Sequence, residues 1–472
     1  MSFSISRRSL PQRFLLVLTS FLQKPGLAFA DVLPEERIQQ AFDEENVAFA
    51  QEDDDVYTPP VTLWAFLSQV LFKDEQRSCA AAVGRVVVLL VALGKELSDN
   101  TGAYCRARAK LPEAVLRRLA YDVADGSERS IPGEWRWKDR DVKMVDGTTM
   151  SMPDTKANQA EYPQHTAQKK GLGFPIVRMV VLLSLATAMV SGMALGPYSG
   201  KETGETALLR ELFKRLVAGD IILGDRYYCS YFLIILLLEL GVDIVTRQHQ
   251  LRTTDFRQGE RLGKRDHLVI WPRPAKPDWM DQATYDRMPE SLRVRELEVR
   301  VEQPGFRTAA LVIVTTLTDA ETYTSEDLAE LYHQRWLVEL DIRAIKVTLG
   351  IDVLRCKWPE MVRREIWTAL LAYNLIRKTM LESAKSASKS PRQLSFTAAL
   401  QKIAASWVTL PLLEVTAAAA VIDAHLSHLE SHQVGHRPNR VEPRAIKRRP
   451  KPHKLLTKPR DAARAELLAG HE

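Results

Sequence analysis

Cysteine is scarce in this chain: four in 472 residues, at positions 79, 105, 229 and 356. None stands in a C-x-x-C pair and no histidine cluster accompanies them. That argues against a zinc site or a disulfide framework, and a reducing compartment fits best. A large charge excess is also missing. Lys and Arg number 65 against 59 Asp and Glu, giving a net +6 and a pI near 9.0. Spread over so long a chain, that is only a mild lean towards nucleic acid. No clean apolar run of membrane length occurs. Residues 176–195 come nearest, but Arg178 lies inside and Ser184, Thr187, Ser191 and Gly192 interrupt. Two adjacent buried strands explain that run better than a span. Near the N-terminus, Arg7 and Arg8 precede a nine-residue apolar run, and Ala28-Phe29-Ala30 resembles a signal-peptidase site. An ordinary first helix competes with that reading.

Apolar residues at 46% and charged residues at 26% are ordinary for a globular protein. The length predicts two to four domains. Residues 1–135 read as helical, with a basic stretch of Arg106, Arg108, Lys110, Arg117 and Arg118. This is either a solvated helix face or a DNA-contacting one. From residue 136 the texture changes. Strands are expected at 141–151, twice within 171–195, at 221–223 and at 242–246. Helices fall at 204–216 and 231–240. This order predicts an α/β layer with a mixed sheet over 136–246. Residues 247–318 read as a β-rich insertion or a sheet extension. Within it, Leu292 and Val294 alternate one residue out of phase with Leu297, Val299 and Val301. That slip predicts a β-bulge at Arg295–Glu296. Helices resume over 319–410, starting at an N-cap Thr324 with Asp327 three residues on and stopping at Gly350. Residues 411–472 read as a helix followed by a basic, extended tail.

One helix carries the chemistry. After Thr324 come Tyr332, Arg335, Glu339 and Lys346. At ~100° per residue all four fall within an arc of about 60°. The rest of that helix is apolar over most of its circumference. Such a polar face is either a salt-bridged stripe, with Glu339 reaching Arg335 or Arg343, or a functional one.

The spacing Tyr-x2-Arg-x3-Glu-x6-Lys resembles the Y-R-E-K signature of the insertion-sequence transposases grouped under insertion sequence four. Other motifs resemble that family in the same order. Val145-Asp146-Gly147-Thr148 looks like the strand that carries its first catalytic Asp. Leu223-Gly224-Asp225-Arg226 looks like the second, and a β-rich stretch separates it from Glu339. The resemblance covers roughly residues 140–380. It implies a ribonuclease H-like mixed-sheet catalytic core holding two Mg²⁺ ions, with Mn²⁺ able to substitute, on Asp146, Asp225 and Glu339. Carboxylates suit such hard cations where Cys and His do not. It further implies phosphate contacts from Tyr332, Arg335 and Lys346, and a base-stacking tryptophan, for which Trp271 is the candidate and Trp279 its rival. A small hydrophobic core for the insertion explains Trp271 slightly better than stacking does. Tail residues such as Arg448 and Arg449 read either as a phosphate-tracking arm or as a solvated tail that binds nothing specific.

The activity so implied is cut-and-paste DNA transposition. The expected partners are double-stranded DNA (terminal repeats and target) and a second copy of the chain in a synaptic homodimer. No membrane is expected; the location is cytoplasmic and nucleoid-associated in a bacterium. A catalytically silent DNA-binding relic and a nuclease without strand transfer are the alternatives. Asp154 and Asp220 are acidic decoys, Asp220 lying at the wrong end of its strand.

Overall fold

The structure is a computed structural model that describes residues 35–47, 49, 55–92, 94, 98–300, 310–434 and 455–469. The signal-like segment and the tail residues Arg448 and Arg449 lie outside them.

Among the described residues, nine strands form one mixed sheet: β1 (Val142–Ser151), β2 (Ile176–Ser184), β3 (Val190–Pro197), β4 (Ile221–Gly224), β5 (Asp243–Arg247), β6 (Glu260–Gly263), β7 (Asp266–Pro272), β8 (Ser291–Arg300) and β9 (Ala310–Thr315). Their order is β3-β2-β1-β4-β5-β9-β8-β7-β6. In the first five, β1, β2 and β3 are antiparallel neighbours, and β4 and β5 run parallel to β1. That order and those directions are the ribonuclease H-like arrangement. The apolar run at 176–195 resolves into β2 and β3, covered on both faces, which is why it reads as nearly continuous hydrophobicity. Among the described residues no helix is long and apolar enough to cross a membrane.

The stretch between β5 and the later helices extends the sheet: β9 pairs antiparallel with β5, and β8, β7 and β6 follow outward. The expected bulge at Arg295–Glu296 is absent. Both residues keep an unbroken register with β7 and β9. The phase slip has another cause. Leu292 and Val294 face the core layer that holds the Tyr231–Glu239 helix, whereas Leu297 faces the opposite layer. Where the strand changes partners, both faces are covered, and Arg295 and Glu296 are buried together. Arg295 meets Asp266 at 2.5 Å there.

The opposite layer is built on the 28-residue helix Pro359–Ser386. Asn374 clamps it, donating to the Ala120 and Val190 carbonyls and accepting from the Val190 N–H. The N-terminal helices Pro59–Leu71 and Glu113–Arg129 pack on the same helix, and Trp64 stacks on Trp407 at 5.5 Å. They therefore share one core with β1 and β2. Two arginines on this layer, Arg377 and Arg392, hold the buried Asp341 at 2.6 and 2.9 Å.

The helix after Thr324 begins with the expected reciprocal capping box to Asp327. It is not uniform, however. Ser325–Gln334 ends in a tight turn at Arg335–Trp336, Leu337–Arg343 follows, and a π-type turn spans Ala344–Thr348 before Gly350 at φ +70°. Nor is its apolar circumference all buried: Trp336, Leu340 and Val347 are exposed.

Candidate active site

Two carboxylates are brought level by strand register. β1 and β4 pair in parallel through Val142↔Ile221 and Met144↔Leu223. Two residues further on, Asp146 and Asp225 therefore stand at the same height on neighbouring strands, where spacing is ~4.8 Å. With a side-chain period of two, both project to the face that Met144 and Leu223 bury. The Leu337–Arg343 helix packs on β1 from that same side and carries Glu339. Asp146 accepts the Gly147 N–H at 2.8 Å, and Asp225 accepts the Tyr227 N–H at 2.8 Å as the cap of a short turn.

Glu339 is held by Arg335 at 3.1 Å, the i,i+4 pair that the helix spacing permits. Arg335 also lies within the electrostatic reach of Asp146, so one guanidinium serves two of the three carboxylates. Tyr332 is buried on the preceding turn, and desolvation pushes its hydroxyl up to about 12, which keeps it a donor. Lys346 reaches across to donate to the Thr148 hydroxyl at 3.0 Å, and burial lowers its pKa. Despite the broken helix, Tyr332 lies within electrostatic reach of Asp225, Arg335 within reach of Asp146 and bonded to Glu339, and Lys346 is bonded to β1.

A fourth carboxylate acts on Asp146 electrostatically from the opposite face of the sheet. Glu205 is the first residue of Glu205–Glu211, the helix after β3. Its carboxyl lies so close over Gly147 that a β-carbon there would sit 2.4 Å from the carboxyl carbon. The buried Tyr228 hydroxyl donates to it at 3.4 Å. Sequence reasoning missed Glu205 because an acid in the first turn of a helix is ordinary dipole complementation. The only available signal was the glycine after Asp146, which marks a close approach.

Burial is the largest influence on Asp146 and raises its carboxyl to about 6. The Gly147 N–H and Arg335 oppose that rise, while Glu205 and Asp225 add to it. Glu205 is raised too, first by burial and then by Asp225. Burial, ahead of the neighbouring charges, is therefore what raises both carboxyls, and Arg335 and Arg178 oppose it only in part.

The remaining candidates are placed elsewhere. Trp271 is 4% exposed; its indole N–H donates to Glu296 at 2.8 Å and Arg252 lies 3.7 Å over its ring. Its ring is thus taken up by the core of the sheet extension instead of being offered for stacking. Trp279 is half-buried under Arg210 and edge-on to Phe232. Asp220 is buried and pairs with Lys143 at 3.0 Å, at the far end of β4. Asp154 is exposed and accepts from Gln159.

A ribonuclease H-like sheet with carboxylates from β1, from the end of β4 and from a following helix defines a class of phosphoryl-transfer proteins. Residues 137–375 match the family described as Transposase DDE domain. The chain belongs to that family, and membership implies dependence on divalent metal. It is 28% identical over 305 residues to the transposase InsG for insertion sequence element IS4 of Escherichia coli (strain K12), covering 62% of this chain and 64% of that protein. It is 34% identical over 76 residues to the transposase for insertion sequence element IS421 of Escherichia coli, covering 16% and 20%. The chain thus spans less than two thirds of the length of the curated relatives it matches. A cryo-EM structure of the piggyBac transposase synaptic complex with hairpin DNA aligns at TM-score 0.43 and 10% identity, over 88% of this chain and 82% of that one. At that score the likeness carries no weight here.

The donor set fits a hard divalent cation, being all carboxylate. The spacing is another matter: among the described residues no three His, Cys, Asp or Glu side chains stand close enough to share an ion. Glu339 is turned to Arg335 instead.

Proposed function

We propose that this chain is a DNA transposase that cleaves strands at the ends of its own element and joins them to target DNA. The observation that carries the reading is the β1–β4 register, which sets Asp146 and Asp225 level on the face where the Glu339 helix packs. In this reading Asp146, Asp225 and Glu339 hold two Mg²⁺ ions, with Mn²⁺ able to replace them. Bound there, the cations stabilise the attacking and the leaving oxygens of the phosphodiester together.

The chain's own residues bind and aim the DNA. Arg335, now paired with Glu339, has the planar fork that would meet two phosphate oxygens beside the scissile bond. Tyr332, kept protonated by burial, donates one further hydrogen bond. Lys346 leaves Thr148 for a third phosphate contact. Water attacks phosphorus at the element end, the P–O3′ bond breaks, and a 3′-OH is freed. That hydroxyl then attacks a target phosphate in the same way. A hairpin route would need a stacking residue other than Trp271.

Residues 1–135 serve as the end-binding region, and 136–246 with 319–410 as the catalytic core. Residues 247–318 form the insertion, and 411–472 a helix and basic tail in which Arg448 and Arg449 track phosphates. A homodimer brings the two ends together, in the bacterial cytoplasm on the nucleoid.

The test is a labelled duplex carrying the element's own ends, incubated with protein, Mg²⁺ and a target plasmid. Cut and joined products are expected. Cut products that never join would make the chain a nuclease, and binding without cutting in Mg²⁺ or Mn²⁺ would make it a silent relic.

A further inference from the structure

A cavity with a largely apolar lining and several cationic side chains lies away from the carboxylates, where the N-terminal helices meet the segment leading into Pro359–Ser386. Its volume is about 480 Å³, within the ~300–1,000 Å³ range of small-ligand sites. Arg77 and Arg108 line it from the N-terminal side, Arg355, Lys357 and Trp358 from the connecting segment, and Glu365 from the long helix. Four cations thus face one carboxylate. Glu365 is already engaged: it accepts the Arg355 and Cys356 backbone N–H groups and lies 3.9 Å from Arg77. Arg108 is fixed by Gln69 at 2.8 Å, and its Nε is buried without a partner. Lys357 is exposed and makes no ion pair among the described residues. Beside these charges the Trp358 ring is 64% exposed. An open indole next to Arg355 and Lys357, neither of which makes an ion pair among the described residues, offers a stacking surface and an anion site at once.

The wall of this cavity is tied to the carboxylate site. Asp352 donates its N–H to the Lys346 carbonyl at 3.2 Å. Ser151 and Leu354 then bond across, extending the end of β1 with a parallel bridge to Val353. Ser151 is five residues beyond Asp146, or ~17 Å at 3.3 Å per residue. That is about five nucleotides of B-form rise.

We propose that this cavity is a nucleotide subsite for the DNA being cleaved. It takes a phosphate between Arg108, Arg355 and Lys357 and an unstacked base against Trp358, several nucleotides from the scissile bond. The inference rests on the reading of the chain as a DNA-cleaving protein. It places a contact in the joint between the N-terminal helices and the catalytic core, so that one strand is gripped by both.

The test uses the full chain and a fluorescein-labelled duplex of the element's end. Affinity is measured between about 50 and 200 mM salt for wild type, Trp358→Ala, Trp358→Phe and the pair Arg355→Glu with Lys357→Glu, each checked by thermal melting. The double reversal should weaken binding by about tenfold or more and flatten the logarithmic salt dependence by about 1–2. Trp358→Ala should cost about tenfold, and Trp358→Phe should restore most of it. Folded variants that bind like wild type would overturn the subsite while leaving DNA cleavage intact. A wild type that binds no DNA would overturn the functional reading and the subsite with it. Binding in which Phe is no better than Ala would remove the stacking role and contradict the proposal as stated.

Discussion

Replacing Asp146 with asparagine should stabilise the metal-free protein while abolishing cleavage. Burial raises the Asp146 carboxyl to about 6, against an ordinary value of ~3.9, a shift of about two units. Each unit corresponds to about 1.4 kcal/mol, so the ionised carboxylate costs the fold at most about 3 kcal/mol. Partial solvation makes about 1–3 kcal/mol the working range. The sign follows from proton linkage. The folded state holds its proton at a higher pH than the unfolded chain, so stability falls as pH rises from about 4 to about 6. Above about 6 the loss is complete and constant. Asparagine carries no charge at any pH and can still accept the Gly147 N–H. The gain of Asp146→Asn over wild type should therefore be largest at pH 7.5 and close to nothing near pH 4. Urea or thermal unfolding in EDTA across that window reads it directly. A variant no more stable than wild type at pH 7.5, or a gain that ignores pH, would refute the reasoning.

Three further outcomes follow from named contacts. Gly147→Ala should cut the cleavage rate by about tenfold or more with little change in melting, because its β-carbon would displace only the flexible Glu205 carboxyl; adding Glu205→Ala should make the variant no worse than Glu205→Ala alone in a kinetic double-mutant cycle. Trp271→Ala should destabilise the fold by about 3–5 kcal/mol in urea melts without changing the proportion of any hairpin product, since its ring and indole N–H are taken up by the core and Glu296. Asp341→Ala should cost about 3–5 kcal/mol, measured the same way, because it leaves the buried Arg377 and Arg392 without their shared carboxylate.

Much of the catalytic layer is written locally in the chain. Buried strands such as β2 and β4 show as short apolar runs, and Thr324 with Asp327 marks a helix start by side-chain chemistry alone. Glu339 is legible through its spacing from Tyr332, Arg335 and Lys346. The shortfalls share a cause in tertiary structure. The phase slip in β8 reflects a change in which layer covers the strand, not an inserted residue. The turn at Arg335–Trp336 and the π-type turn at Ala344–Thr348 break an ideal 3.6-residue period that the sequence seemed to promise. Glu205 looks like any acid at a helix start until Gly147 is seen beneath it. The cavity beside Trp358 draws on Arg77, Arg108 and Trp358, far apart in the chain, and no local pattern joins them.

The central claim is that three carboxylates from β1, β4 and the Leu337–Arg343 helix act as one metal-dependent centre. The most direct test measures Mg²⁺-dependent cleavage of the element's ends by Asp146→Asn, Asp225→Asn and Glu339→Gln beside wild type, with DNA binding and melting recorded for each. The account predicts that all three variants fold and bind DNA yet lose cleavage to a similar depth, singly or combined. A variant that folds, binds and still cleaves at the wild-type rate would contradict it.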